Sequence, residues 1–116
     1  MSESTVTELV IPREKWGRVL LLDYEGKKCC LGHLGTACGI SDKAMRGFCA
    51  PSDITVQNEV KYPEAFQTDH PSHAYLLAMT VNDHPTMPRR EKEYRLKILF
   101  KAHGINLSFT GVGGEP

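Results

Sequence analysis

A chain of 116 residues is long enough for one compact domain with one hydrophobic core and too short for two ordinary domains. Fourteen Lys and Arg balance fourteen Asp and Glu, and 41% of the residues are hydrophobic, the make-up of an ordinary water-soluble globule. Formal neutrality argues against a protein whose main affinity comes from a broad basic surface laid on phosphates, though it permits a pocket for a small anion.

The first residues lack the basic start, apolar run and small-residue cleavage site of a signal peptide, and no apolar run has the length needed to cross a bilayer. A cytoplasmic protein with reduced thiols is expected. Residues 1–9, rich in Ser, Thr and Glu, read as a flexible start. Residues 111–116, Gly-Val-Gly-Gly-Glu-Pro, read as a flexible tail. A single globular domain is expected over 10–110.

In chain order, Pro12 followed by Arg13, Glu14 and Lys15 suits the first turn of a helix, with Trp16, Val19, Leu20 and Asp23 at helical spacing. Val19 to Leu22 also reads as a buried strand. Asp23 to Gly26 reads as a turn, and Lys28 to Leu31 as a short strand leaving it. Gly32 to Gly39 carries Leu34, Ala37 and Cys38 at helix-like spacing, but its glycines point to tight packing against another backbone or a ligand. Ser41 or Asp42 caps a helical turn through Met45, and Cys49-Ala50-Pro51-Ser52 ends it.

From Pro51 to Pro71 the pattern is irregular, with room for a short strand at 54–57 or 59–62. Asp69 or Ser72 caps the next helix, which places Ala74, Leu77, Ala78 and Val81 on one face. Asn82-Asp83-His84-Pro85 ends it. The clearest helix starts at Pro88. Leu96, Leu99, Phe100 and His103 form its apolar face, and Glu91 to Arg95 and Glu93 to Lys97 are favourable charge spacings. Gly104 suits the left-handed position after a helix, with Ile105 folding back on Phe100. Ile105, Leu107 and Phe109 alternate as one face of a strand. These elements predict an α+β fold: a small single domain with three to four helices packed on a small β-sheet.

The Gly-Lys-Lys-Cys-Cys-Leu-Gly run at 26–32, the apolar helix ending in Asn82-Asp83 and the long final helix resemble a group of small phage and prophage accessory proteins, over about Trp16 to Phe109. In that group a Cys-Cys-Leu-Gly segment precedes an Asn-Asp segment; here His84-Pro85 stands where a glycine often follows. The resemblance implies a phage accessory protein with a counter-defence role, acting in the host cytoplasm.

All four cysteines fall between Cys29 and Cys49. Cys30, His33, Cys38 and Cys49 offer four soft ligands for zinc, although paired Cys-x-x-Cys knuckles are absent and buried free cysteine is common. Nucleophilic catalysis would need Cys30 or Cys38 as thiolate, one of His33, His73 or His84 as base, and Asn82 or Asp83 to orient it. The motif Gly32-His33-Leu34-Gly35 is not a phosphate loop. Trp16, Tyr24, Tyr62 and Tyr75 are of the type that stacks a base, and equally of the type that packs a core.

Asn82 and Asp83 can satisfy backbone groups where a helix stops, or can read the edge of a nucleotide-like ligand. His84, Arg89, Arg90 and Lys92 lie just downstream, at a helix start where phosphate binds readily. The expected ligand-binding set is therefore Asn82, Asp83, His84, Arg89 and Arg90, with no cofactor and no resident metal. The expected function is sequestration of a small nucleotide-derived immune signal, or inhibition of a host defence protein, without catalysis. The alternatives are a cysteine- or metal-dependent hydrolase of a nucleotide-like ligand, and a purely protein-binding inhibitor of a host enzyme. No membrane partner and no extended nucleic-acid surface are expected, and assembly into a homo-oligomer is compatible with the sequence.

Overall fold

The computed structural model describes residues 6–18, 21–23, 25–47, 62–67 and 71–112. The elements run β1 (Glu8–Pro12), α1 (Cys30–Ala37), α2 (Asp42–Met45), α3 (Ala74–Asn82), α4 (Arg89–Ala102) and β2 (Asn106–Thr110), with 3-10 turns at Arg13–Lys15 and Glu64–Phe66. They form one small α+β domain with a radius of gyration of 12.9 Å, in which three helices of two or more turns pack around a two-stranded sheet. None of the described helices is long and apolar enough to cross a membrane.

The sheet pairs a strand near the start of the chain with one near its end. β1 and β2 pair in parallel, with Glu8 opposite Asn106 and Pro12 opposite Thr110. Alternation decides which side faces in: Leu9 and Ile11 on β1 and Leu107 and Phe109 on β2 are buried, while their neighbours Glu8, Val10, Asn106 and Ser108 are exposed. Trp16 closes over this face, its ring 4.6 Å from that of Phe109, and Phe66 meets Phe100 at 4.8 Å.

The expected helix from Pro12 is replaced by the last residue of β1 and a single 3-10 turn, after which Trp16 is extended. Period-two burial over Leu9 and Ile11 outweighs the helical spacing that begins at Trp16. Pro12 sits where a strand tolerates it, at the end. The strand, moreover, begins at Glu8, inside the segment read as a flexible start. Leu21 and Leu22 are buried without being helical, and Leu22 bridges to Arg46, whose neighbour Gly47 donates its N–H to the Leu22 carbonyl at 2.9 Å. Val19, Leu20 and Tyr24 lie outside the described residues.

The expected strand from Lys28 to Leu31 shrinks to one bridge, between Lys28 and Trp16, because α1 already begins at Cys30. The turn before it forms as expected: the Asp23 carboxylate accepts the backbone N–H groups of Glu25 and Lys27, each at 2.8 Å. In α1 the glycines mark close approach. A Cβ on Gly32 would stand 1.8 Å from the Leu21 carbonyl oxygen, and one on Gly35 would stand 2.6 Å from the Tyr62 hydroxyl. Helix propensity is given up so that neighbouring backbone and side chains can touch α1 directly.

The later half follows the pattern closely. Ala74, Ala78 and Asn82 line the buried face of α3, while Leu77 turns out to be half exposed and Val81 is partly buried. Ser72 accepts the Ala74 N–H at 3.2 Å, and Asp69 lies outside the described residues. α4 buries Leu96 and Phe100 and ends in a full Schellman pair: Ile105 N–H reaches the Phe100 carbonyl and Gly104 N–H the Lys101 carbonyl, both at 3.0 Å, with Gly104 at φ +84°. The strand positions considered at 54–57 and 59–61 also fall outside the described residues.

Candidate functional site

Two polar regions flank α1, one sealed and one open. The sealed region is built on Asn82, the last residue of α3, which is completely buried. Its Oδ1 accepts the indole N–H of Trp16 at 2.7 Å and the backbone N–H of Cys30 at 2.9 Å. Its Nδ2 donates to the Gly17 carbonyl at 3.0 Å and to the Asp83 carboxylate at 2.8 Å. A primary amide has two acceptor and two donor positions, so all four are committed to the protein itself.

This arrangement explains a local oddity of α1. Cys29 stands at its N-cap and makes no capping bond with its side chain. Asn82 supplies that bond from another helix, so the C-terminus of α3 caps the N-terminus of α1. Buried Lys92 completes the junction by donating from Nζ to the Asn82 carbonyl at 2.8 Å, where α3 leaves a backbone acceptor without a helical partner.

The adjacent cysteines belong to the same junction. The Cys30 thiol lies 3.8 Å from the Ala78 carbonyl, and burial raises its pKa well above the ordinary thiol value. Cys29 is equally enclosed, and burial pushes its thiol up to about 12. A thiol that stays protonated at neutral pH is a poor nucleophile and a poor metal ligand. Among the described residues no three His, Cys, Asp or Glu side chains come together as a metal site; Cys49 lies outside them. Cys38 is partly buried at the end of α1.

The other expected site residues sit at turns, helix ends and the start of α4. His84 accepts from the Thr86 and Met87 N–H groups at 3.2 and 3.0 Å and so shapes the turn before α4. His73 takes a left-handed conformation at the N-cap of α3, with φ 55°. Arg89 lies 3.5 Å from Glu93, which Arg13 grips with two nitrogens at 2.8 and 2.9 Å. That Arg13 pairing holds the Glu93 carboxyl below its ordinary pKa. Arg90 is exposed. Of the aromatic residues considered for stacking, Trp16 and Tyr62 are buried and Tyr75 is half-buried.

The open region is a cleft of about 570 Å³ along the outer edge of β1. Glu8, Val10 and Pro12 form one wall, and His33, Thr36 and Ala37 of α1 form the other. Leu22 and Gly26 lie against it, and Lys15, Lys28, Asp42 and Arg46 add charge.

The parallel ladder determines what β1 shows to this space. Asn106 donates its N–H to the Thr7 carbonyl at 2.8 Å, so Thr7, Leu9 and Ile11 turn their backbone groups toward β2. Glu8, Val10 and Pro12 therefore turn theirs the other way, toward the cleft, with Pro12 offering only a carbonyl.

Along the other wall, Lys28 Nζ donates to Thr36 Oγ1 at 2.5 Å and pairs with Asp42 at 3.0 Å. His33 Nε2 lies 3.1 Å from the Lys15 carbonyl, which can only accept, so Nε2 carries the proton of the neutral ring. Burial, and secondarily the nearby Lys28 charge, lower the His33 pKa to about 4. The imidazole is thus uncharged at neutral pH, and the cleft's positive charge comes from Lys15, Lys28 and Arg46 against Glu8 and Asp42.

Lys15, Lys28, Thr36 and Arg46 did not stand out in the sequence, because no motif links them. The isolated bridges at Trp16–Lys28 and Leu22–Arg46 help bring their segments together. No family model, no curated protein and no solved structure matches the chain.

Proposed function

We propose that this protein is a non-catalytic binder that holds a small nucleotide-derived anion in the cleft between β1 and α1. Such an activity fits the counter-defence role implied by the resemblance to phage accessory proteins: sequestration of a host immune signal.

The observation that carries the reading is the composition of the cleft. Lys15 and Arg46 supply charge for phosphate, Val10 supplies apolar surface for a base, and the outward N–H and C=O groups of β1 can pair with a base edge. A volume of about 570 Å³ falls within the range of small-molecule sites. The buried, protonated thiols of Cys29 and Cys30 favour binding over thiolate chemistry. In this reading Asn82 supports the site by fixing α1, and Asp83, His84, Arg89 and Arg90 do not touch the ligand.

The test is to incubate the purified protein with a panel of linear and cyclic nucleotides, remove unbound ligand, heat the complex and identify what is released. Intact recovery of one nucleotide, weakened about tenfold by Lys15→Gln or Arg46→Gln, is the expected result. Recovery of a converted product would replace the proposal with the hydrolase. The absence of binding to the whole panel would leave a protein-binding inhibitor, a reading favoured by Leu76 and Leu77, which lie 49% and 52% exposed on α3.

A further inference from the structure

The outer face of α4 is a second charged surface, separate from the cleft. α4 carries six Lys or Arg against two Glu, a net charge of +4, in a chain whose formal net charge is 0; the other residues therefore sum to −4. The two acids are already engaged. Glu91 pairs with Arg95 at 2.7 Å, and Glu93 pairs with Arg13 and Arg89.

Among the described residues Arg90, Lys97 and Lys101 make no ion pair, and all three are exposed. At 100° per residue, Arg90, Tyr94, Lys97 and Lys101 lie within an arc of about 60° and form a row about 16 Å long. Tyr94 interrupts the row with 65% of its surface exposed, and Ile98 beside it is 53% exposed. Lys97 keeps one partner, the Phe109 ring, whose centroid lies 6.0 Å from Nζ.

We propose that this row binds a short single-stranded nucleic-acid segment, with Arg90, Lys97 and Lys101 on successive phosphates and a base stacked on Tyr94. Cations alternating with an accessible aromatic ring are what single-strand recognition requires, since every base offers a π-face and the backbone offers charge. A second copy of this chain is a poor occupant of the same face, because two helices of charge +4 would meet. An acidic protein matches the charge but not the area. Two projecting side chains cannot supply the apolar centre of an interface that buries roughly 800 Å² on each partner. A duplex withholds its base faces from Tyr94. Three phosphate contacts are also compatible with a chain that is neutral as a whole.

Fluorescence anisotropy with a labelled twelve-nucleotide oligo(dT), read from 20 to 200 mM salt, tests this. With three phosphates engaged, log K should fall against log salt with a slope of about −2, and Arg90→Gln, Lys97→Gln or Lys101→Gln should each flatten it by about 0.7. Tyr94→Ala should weaken binding by about 5- to 100-fold with the slope unchanged. Lys43→Gln, on the exposed part of α2, should change neither value. Circular dichroism of every variant guards against misfolding. Absence of binding at 20 mM salt, equal affinity in the Tyr94→Ala protein, or tighter binding of a duplex of the same length would each overturn the proposal.

Discussion

The junction around Asn82 and the cleft along β1 both adjoin α1, and both are built from polar groups. In the junction every donor and acceptor of the Asn82 side chain has a partner inside the protein. Among the described residues, the outward groups of Glu8 and Val10 in the cleft have no backbone partner, and Lys15 and Arg46 make no ion pair. Chemical variety in the sequence therefore does not mark where hydrogen-bonding capacity stays unused; that capacity lies with residues of no individual distinction.

The contrast breaks most sharply at Asn82. Asn82→Ala should destabilise the fold by about 4 kcal/mol, because it strands the Trp16 indole N–H, the Cys30 N–H and the Gly17 carbonyl in the interior. Urea titration measures this, and a loss under 1 kcal/mol would mean the junction is not the keystone described. Gly32→Ala comes next at about 3 kcal/mol, since its methyl group would collide with the Leu21 carbonyl. The same titration should show an unchanged dependence on denaturant if the variant still folds cooperatively.

His33 sharpens the comparison through pH. Its folded pKa of about 4 lies below the ordinary 6.5, so between those values the unfolded chain binds more protons than the folded one. Stability should hold above pH 6.5 and fall as the pH drops toward 4, by roughly 3 kcal/mol at most for this one group. In a His33→Gln protein that portion of the decline should vanish. The smallest effect on stability is expected in the cleft. Lys15→Gln and Arg46→Gln should shift unfolding by no more than about 0.5 kcal/mol while costing about tenfold in nucleotide affinity, measured by calorimetry.

Much of the architecture was legible in advance where local signals agree. Leu96 and Phe100 with Gly104 and Ile105 announce α4 and its end, because period, charge spacing and cap all point the same way. Around Pro12 they disagree. Helical spacing from Trp16 competes with two-residue alternation at Leu9 and Ile11, and the choice falls to β2, which lies 98 residues further along the chain from Glu8 to Asn106. No local window contains that information. The same holds for the polar groups: Asn82 and the cysteines attracted notice as motifs, yet it takes the approach of Trp16 from 66 residues away to show what Asn82 does. Lys15, Lys28 and Arg46 become neighbours through long-range contacts, backbone bridges among them, that composition cannot foresee.

The parallel pairing of β1 with β2 also sets a timetable. Bringing Glu8 to Asn106 closes a loop of 98 residues, an entropic cost on the order of 4 kcal/mol that local contacts must offset before the sheet forms. On the ribosome, β1 emerges early and waits for β2, its strand neighbour among the described residues, until residue 110 has been made. Helices α1, α3 and α4 can form meanwhile, but β1, one wall of the cleft, still lacks the hydrogen-bonded strand that fixes it. The cleft should thus take shape abruptly with the last strand, and a chain halted after α4 should be a helical species without it.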